Sequence, residues 1–75
     1  MAAVAQNTLA SRYERGEGVP RDLSEATAWF GKAAEQGEAI AQCNLGKYYF
    51  DGVGPLPRST EEAVRWFRKA ADQEH

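Results

Sequence analysis

The chain has 75 residues, 27% of them charged and 43% apolar, with a net charge of −2 and a pI near 5.3. That length holds one small domain, and that composition belongs neither to a disordered chain nor to a membrane span of roughly 20 apolar residues. The acidic balance excludes a nucleic-acid surface of clustered Lys and Arg, the one cysteine excludes an internal disulfide, and the one histidine, His75, leaves no metal cluster or His-based catalytic site, so no cofactor is expected.

Met1 to Asn7 lack a basic region followed by a long apolar core, so no signal peptide is read there and the compartment stays open. Ala5, Leu9 and Tyr13 then form a stripe at helical spacing, which predicts a helix near 2–15 with this stripe inward. Gly16 ends it as a left-handed C-cap, and Pro20 stops any continuation. Asp22 with Glu25 three residues later reads as a capping box, opening a second helix near 23–36. Its apolar residues Ala26, Trp29, Phe30, Ala33 and Ala34 fall at i, i+3, i+4, i+7 and i+8, and Gly37 closes it. A third helix is expected near 38–51, with Ala41, Leu45 and Tyr49 inward. Gly46 inside that helix costs up to about 1 kcal/mol relative to alanine. It implies a neighbouring helix too close for a side chain. Gly52 ends the third helix, Pro57 follows, and Ser59 with Glu62 makes a second capping box. The fourth helix, near 60–73, carries Ala63, Trp66, Phe67, Ala70 and Ala71.

The two halves are copies of one another. At an offset of 36 the pairs Ala3/Ala39, Ala5/Ala41, Gln6/Gln42, Leu9/Leu45, Tyr13/Tyr49, Gly16/Gly52 and Gly18/Gly54 are identical. After an inserted residue around Pro55-Leu56 the offset becomes 37, and ten further pairs match, from Pro20/Pro57 through Trp29/Trp66 and Phe30/Phe67 to Gln36/Gln73. The insertion falls in a loop, where added length is cheap. The implied fold is all-α: two helix-turn-helix units, 1–37 and 38–75, stacked as a short right-handed α-α superhelix in one continuous domain. Solenoids ordinarily need three or more units. Two units should therefore expose Trp66, Phe67 or the Ala70-Ala71 face at the end of the stack. Three states are open: a segment of a longer array, end-to-end self-association, or a marginal monomer.

The run Ala41-Gln42-Cys43-Asn44-Leu45-Gly46-Lys47-Tyr48-Tyr49-Phe50-Asp51-Gly52-Val53-Gly54 resembles the first helix and loop of Sel-1-like repeats. Ala63 to Gln73 resembles their second helix. The first copy resembles the family through Leu9, Tyr13, Gly16 to Val19, Asp22, Ala26, Trp29-Phe30 and Ala33 to Gly37. Ordinary tetratricopeptide repeats, about 34 residues long, are the nearest rival but lack the Gly-x-Gly loop. Departures are Ala10 for the family's usual glycine, Asn7 and Cys43 for an aromatic, Ser59 in the place of Asp22, and the insertion at Pro55-Leu56. The resemblance implies a scaffold or adaptor that binds a protein or peptide partner, without naming it.

By the same resemblance, first helices line the concave groove. The candidate groove is Val4, Asn7, Ser11 and Glu14 in the first copy and Ile40, Cys43, Lys47 and Phe50 in the second. Ile40 and Phe50 read either as peptide anchors or as hairpin packing, Cys43 as a small filler or an accessible thiol, and Arg15 and Asp51 as rim contacts or solvated ends. Gly16-Glu17-Gly18 and Gly52-Val53-Gly54 are loop punctuation, since no strand precedes either and no Gly-Lys-Ser/Thr follows. Glu61-Glu62 favours a helix dipole and forms no opposed catalytic pair. Trp29 and Trp66 read as core. The leading function is a protein-interaction module using the groove or the exposed end of the stack. The alternative is a structural spacer in a longer scaffold, and an enzyme is disfavoured for want of a nucleophile and base pair.

Overall fold

The computed structural model describes residues 2–73, so His75, the one histidine considered above, lies outside them. Four helices follow one another: α1 (Ala3–Arg15), α2 (Leu23–Glu35), α3 (Ala39–Asp51) and α4 (Thr60–Ala71). There is no strand among the described residues. Helix α1 packs on α2, α2 on α3 and α3 on α4, so two hairpins stack through the α2/α3 contact.

The helix ends are set by the residues that the sequence singles out. Gly16 and Gly52 both adopt the left-handed conformation, with φ of 73° and 67°. Gly37, at φ 94°, completes a Schellman turn in which its N–H bonds Ala34 and the Glu38 N–H bonds Ala33. Asp22 accepts from the backbone N–H groups of Ser24 and Glu25, and Ser59 from that of Glu62. The reciprocal half of each expected capping box is missing. The Asp22 N–H donates to the Tyr13 carbonyl and the Ser59 N–H to the Tyr49 carbonyl, so each glycine loop is tied back to the helix before it. Glu38 caps α3 by accepting from Ile40 and Ala41, a role not assigned to it from sequence.

The core is small-residue packing around two aromatics, Phe30 and Tyr48, with Ala10, Ala26, Ala33, Ala34, Ala41 and Leu45. Phe30 is fully buried, and its ring meets that of Tyr48 edge-on at 5.5 Å and 75°. Gly46 behaves as expected, since a Cβ there would come within 2.7 Å of the Phe67 ring and 3.2 Å of the Ala63 carbonyl.

Two expectations for the first helices need correction. Ala5 is exposed and Leu9 only half-buried, while Gln6 and Ala10 are the buried residues of α1. The Ala41-Leu45 side of α3 is covered by α2, whereas no helix among the described residues lies against the matching Ala5-Leu9 side of α1. In α3 the buried tyrosine is Tyr48, because it faces Phe30; Tyr49 is half-buried. At the end of the stack Ala71 is exposed and Phe67 half-buried, while Trp66 is drawn in beside Leu45, Tyr49 and Leu56.

A repeated polar bond accompanies the packing. Gln36 donates to Gln6 Oε1, and Gln73 donates to Gln42 Oε1 at 2.8 Å, so each hairpin is pinned near its open end by the same pair of glutamines. Gln42 also donates to the Ala34 carbonyl at 3.1 Å, joining the second hairpin to the first. Satisfying this buried amide on both sides makes the junction specific as well as apolar.

Candidate functional site

Lys47 and Asn44, on α3, stand between two depressions. The first, about 400 Å³, lies between α3 and α4 and is walled by Ala39, Ile40, Cys43, Phe67, Ala70 and Ala71 in addition to that pair. Its floor is apolar: Phe67 rests on Gly46, and alanines keep the α4 wall low. Ile40, 62% exposed, forms one lip. The second depression, about 310 Å³, lies where α1 meets α3 and is polar, with Glu14, Arg21, Tyr48 and Asp51 around it.

Of the candidate groove residues, the structure brings Ile40, Cys43 and Lys47 together in the first depression, and Glu14 and Lys47 in the second. Ser11 lies apart, with Thr8, Arg12 and Glu17. Val4 and Phe50 are exposed on their helices. Asn7 is half-buried, its Oδ1 closed from solvent and unpaired among the described residues. The α4 wall belongs to the same depression as Ile40 and Cys43, which sequence periodicity along single helices does not reveal. The signal was present in another form, as the Phe67-Ala70-Ala71 stripe of the fourth helix.

Electrostatics tie Glu14 to the inter-hairpin junction. Its Oε2 accepts from the Tyr48 hydroxyl at 2.8 Å. Burial, together with the adjoining Glu14 carboxylate, pushes the Tyr48 hydroxyl above its ordinary pKa, and Arg21 pulls weakly the other way. Lys47 forms no ion pair among the described residues, whose two salt bridges are Arg15–Glu17 and Glu62–Arg65. No group of three or more His, Cys, Asp or Glu residues that could hold a metal occurs among the described residues, and no helix there is long and apolar enough to cross a membrane.

The first depression has an exact counterpart by register in the first hairpin. Phe67, Ala70 and Ala71 correspond to Phe30, Ala33 and Ala34, and Ile40, Cys43 and Lys47 to Val4, Asn7 and Ser11. In the first hairpin the α2 wall of that groove is covered: Phe30, Ala33 and Ala34 are at most 1% exposed, with Ala41, Leu45 and Tyr48 of α3 in the same core cluster. One structural unit thus appears twice, with its α2-type wall covered in the first copy and open in the second.

The description of a Sel1 repeat matches the chain twice, at residues 3–38 and 39–75. The chain belongs to the Sel1 repeat family. The Sel1 pair superimposes on the crystal structure of a Sel1 repeat protein from Oxalobacter formigenes with a TM-score of 0.91 at 46% identity, over 97% of this chain and 30% of that one. It matches a protective antigen of uropathogenic Escherichia coli strains displaying the same repeat fold, with a TM-score of 0.90 at 42% identity, over 97% of this chain and 15% of that one. A Sel1-like repeat-containing protein of Acanthamoeba polyphaga mimivirus is 40% identical over 48 residues, which are 64% of this chain and 9% of that protein. The Sel1 pair therefore spans less than a third of each of these relatives. Sel1 repeats are helical modules of protein interaction, and the family is a non-catalytic scaffold family.

Proposed function

We propose that the Sel1 pair holds a helical segment of a protein partner in the groove between α3 and α4. There Ile40, Cys43 and Lys47 of the first-helix face meet Phe67, Ala70 and Ala71 at the end of the stack. The observation that carries this reading is the equivalent groove between α1 and α2, whose α2 wall is already covered by a helix, α3, through Ala41, Leu45 and Tyr48. A shallow apolar trough with low alanine walls and one aromatic floor suits an amphipathic helix presenting small and branched residues at i, i+4 and i+7. The unpaired Lys47 at its edge adds a preference for a carboxylate at the rim of the partner.

The test uses a synthetic peptide with the sequence of residues 37–52, which carries α3 and its caps. The peptide should bind the chain saturably, and Ala71→Arg, at an exposed position of the α4 wall, should abolish binding while leaving the helical circular dichroism unchanged. Absence of binding to the parent chain would overturn the reading.

A structural spacer is the second reading, favoured by the lengths of the relatives, of which this chain spans 30% and 15% in the solved structures. In that case the same groove seats a following repeat. A chain lengthened by a third hairpin copied from residues 38–73, with arginine in the added copy at the position equivalent to Ala71, would then gain stability cooperatively and lose all affinity for the peptide.

A further inference from the structure

Resting on the groove reading above, we infer that the occupant of the α3/α4 groove is the outer face of α1 from a second copy of this chain, so that copies join head to tail. The junction inside the molecule supplies the template. There α3 meets the first hairpin through Ala41, Leu45 and Tyr48, with Phe30, Ala33 and Ala34 across from them, and with two polar bonds: Gln42 to the Ala34 carbonyl, and Tyr48 to Glu14. In register, α1 offers Ala5, Gln6, Leu9 and Arg12 where α3 offers Ala41, Gln42, Leu45 and Tyr48. The open groove offers Phe67, Ala70 and Ala71 where the covered one has Phe30, Ala33 and Ala34.

Three observations favour a copy of this chain over an unrelated helix. Ala5 is exposed and Leu9 half-buried, so among the described residues the face of α1 that matches the buried side of α3 has no cover. Gln6 already has its Oε1 bonded to Gln36, as Gln42 has to Gln73, yet its Nε2 makes no hydrogen bond among the described residues, whereas that of Gln42 reaches Ala34. The nitrogen is thus held in the register from which it would reach the carbonyl of Ala71.

The third observation is a paired exchange. The internal junction sets Tyr48 against Phe30 and bonds it to Glu14. At a junction between copies the same positions are Arg12 on one side and Phe67 with Phe50 on the other. Arg12 pairs with no carboxylate among the described residues, and Phe50 is 49% exposed. A guanidinium over two aromatic rings replaces an aromatic ring beside a carboxylate, so both sides change together and the contact stays complementary. Because the two faces differ, the contact is heterologous. It builds open chains of copies and does not close at two.

The experiment is sedimentation equilibrium on the whole chain and on two variants at exposed positions, Ala5→Arg in the α1 face and Ala71→Arg in the groove. The parent should show a mass that rises with concentration past that of a dimer. Each variant alone should associate about ten-fold more weakly or worse, since an arginine is forced into an apolar contact. An equimolar mixture should recover dimers and nothing larger, because one good face of each kind remains. Circular dichroism of both variants confirms that the fold is kept. A parent that stays monomeric up to millimolar concentration, a parent that stops at dimers, or a mixture no more associated than its components would overturn the inference. A monomeric parent that still binds the 37–52 peptide overturns self-assembly alone, whereas one that binds no such peptide overturns the groove reading too.

Discussion

Helices α2 and α4 carry nearly the same apolar stripe, and their fates differ. Phe30, Ala33 and Ala34 are sealed, whereas Phe67 is half-buried and Ala71 exposed. Nothing in the helices themselves accounts for the contrast. It follows from cover: among the described residues α2 packs against both α1 and α3, and α4 against α3. Burial in a repeat protein is therefore a property of position in the stack, and a residue that is core in one copy is open surface in the next.

The contrast predicts unequal costs for equal substitutions. Ala34→Arg should remove on the order of 4 kcal/mol of stability or prevent folding, because it puts an unpaired charge under α3. Ala71→Arg should stay within about 0.5 kcal/mol, as exposed substitutions do. Urea titrations of both variants check the pair, and similar losses would break the comparison. Phe30→Ala should cost about 3–5 kcal/mol as a full core truncation. Phe67→Ala should cost less than half of that, unless the measurement is made where copies associate.

Gly46 and Ala10 offer a smaller contrast, at one register with different clearances. Gly46→Ala gains up to about 1 kcal/mol of helix propensity but forces the Phe67 ring and the Ala63 carbonyl away. Overpacking of that kind costs about 1–3 kcal/mol, so a net loss of about 1 kcal/mol is expected in thermal unfolding. Ala10→Gly should cost about 1 kcal/mol for the opposite reason, loss of a methyl that fits.

The smallest effect concerns the polar bond of the junction. The Tyr48 hydroxyl titrates higher folded than unfolded, where its value is about 10. Its contribution is thus complete below pH 10 and declines as pH climbs above it, because the unfolded chain then releases a proton that the folded one keeps. Tyr48→Phe should lose about 1 kcal/mol at pH 7 and show a flatter decline above pH 10 in urea titrations. An unchanged alkaline slope would show that burial and the Glu14 bond do not raise the Tyr48 hydroxyl in the folded chain.

The fold was legible because it is written twice. The glycine caps, the Asp22 and Ser59 starts and the tight approach at Gly46 follow from local chemistry, and the offset of 36 then 37 shows each in duplicate. The faces of the first helices were less legible. Ala5-Leu9-Tyr13 and Ala41-Leu45-Tyr49 are one pattern in sequence, but α2 lies against that side of α3, so there the first two residues, Ala41 and Leu45, are sealed. Tyr48 next to Tyr49 cannot be resolved by periodicity, since both border the stripe, and the choice was made by Phe30 from another hairpin. The first depression was half visible. Ile40, Cys43 and Lys47 lie on one helix face, but their α4 partners belong to a second helix that only tertiary packing sets beside them.

Native-state hydrogen exchange on the monomeric chain tests the unequal cover most directly. Backbone amides of α2, held on both sides, should exchange at least about ten-fold more slowly than those of α4, which can open alone. Equal protection of the two helices would contradict the claim that one groove is filled and its copy is vacant.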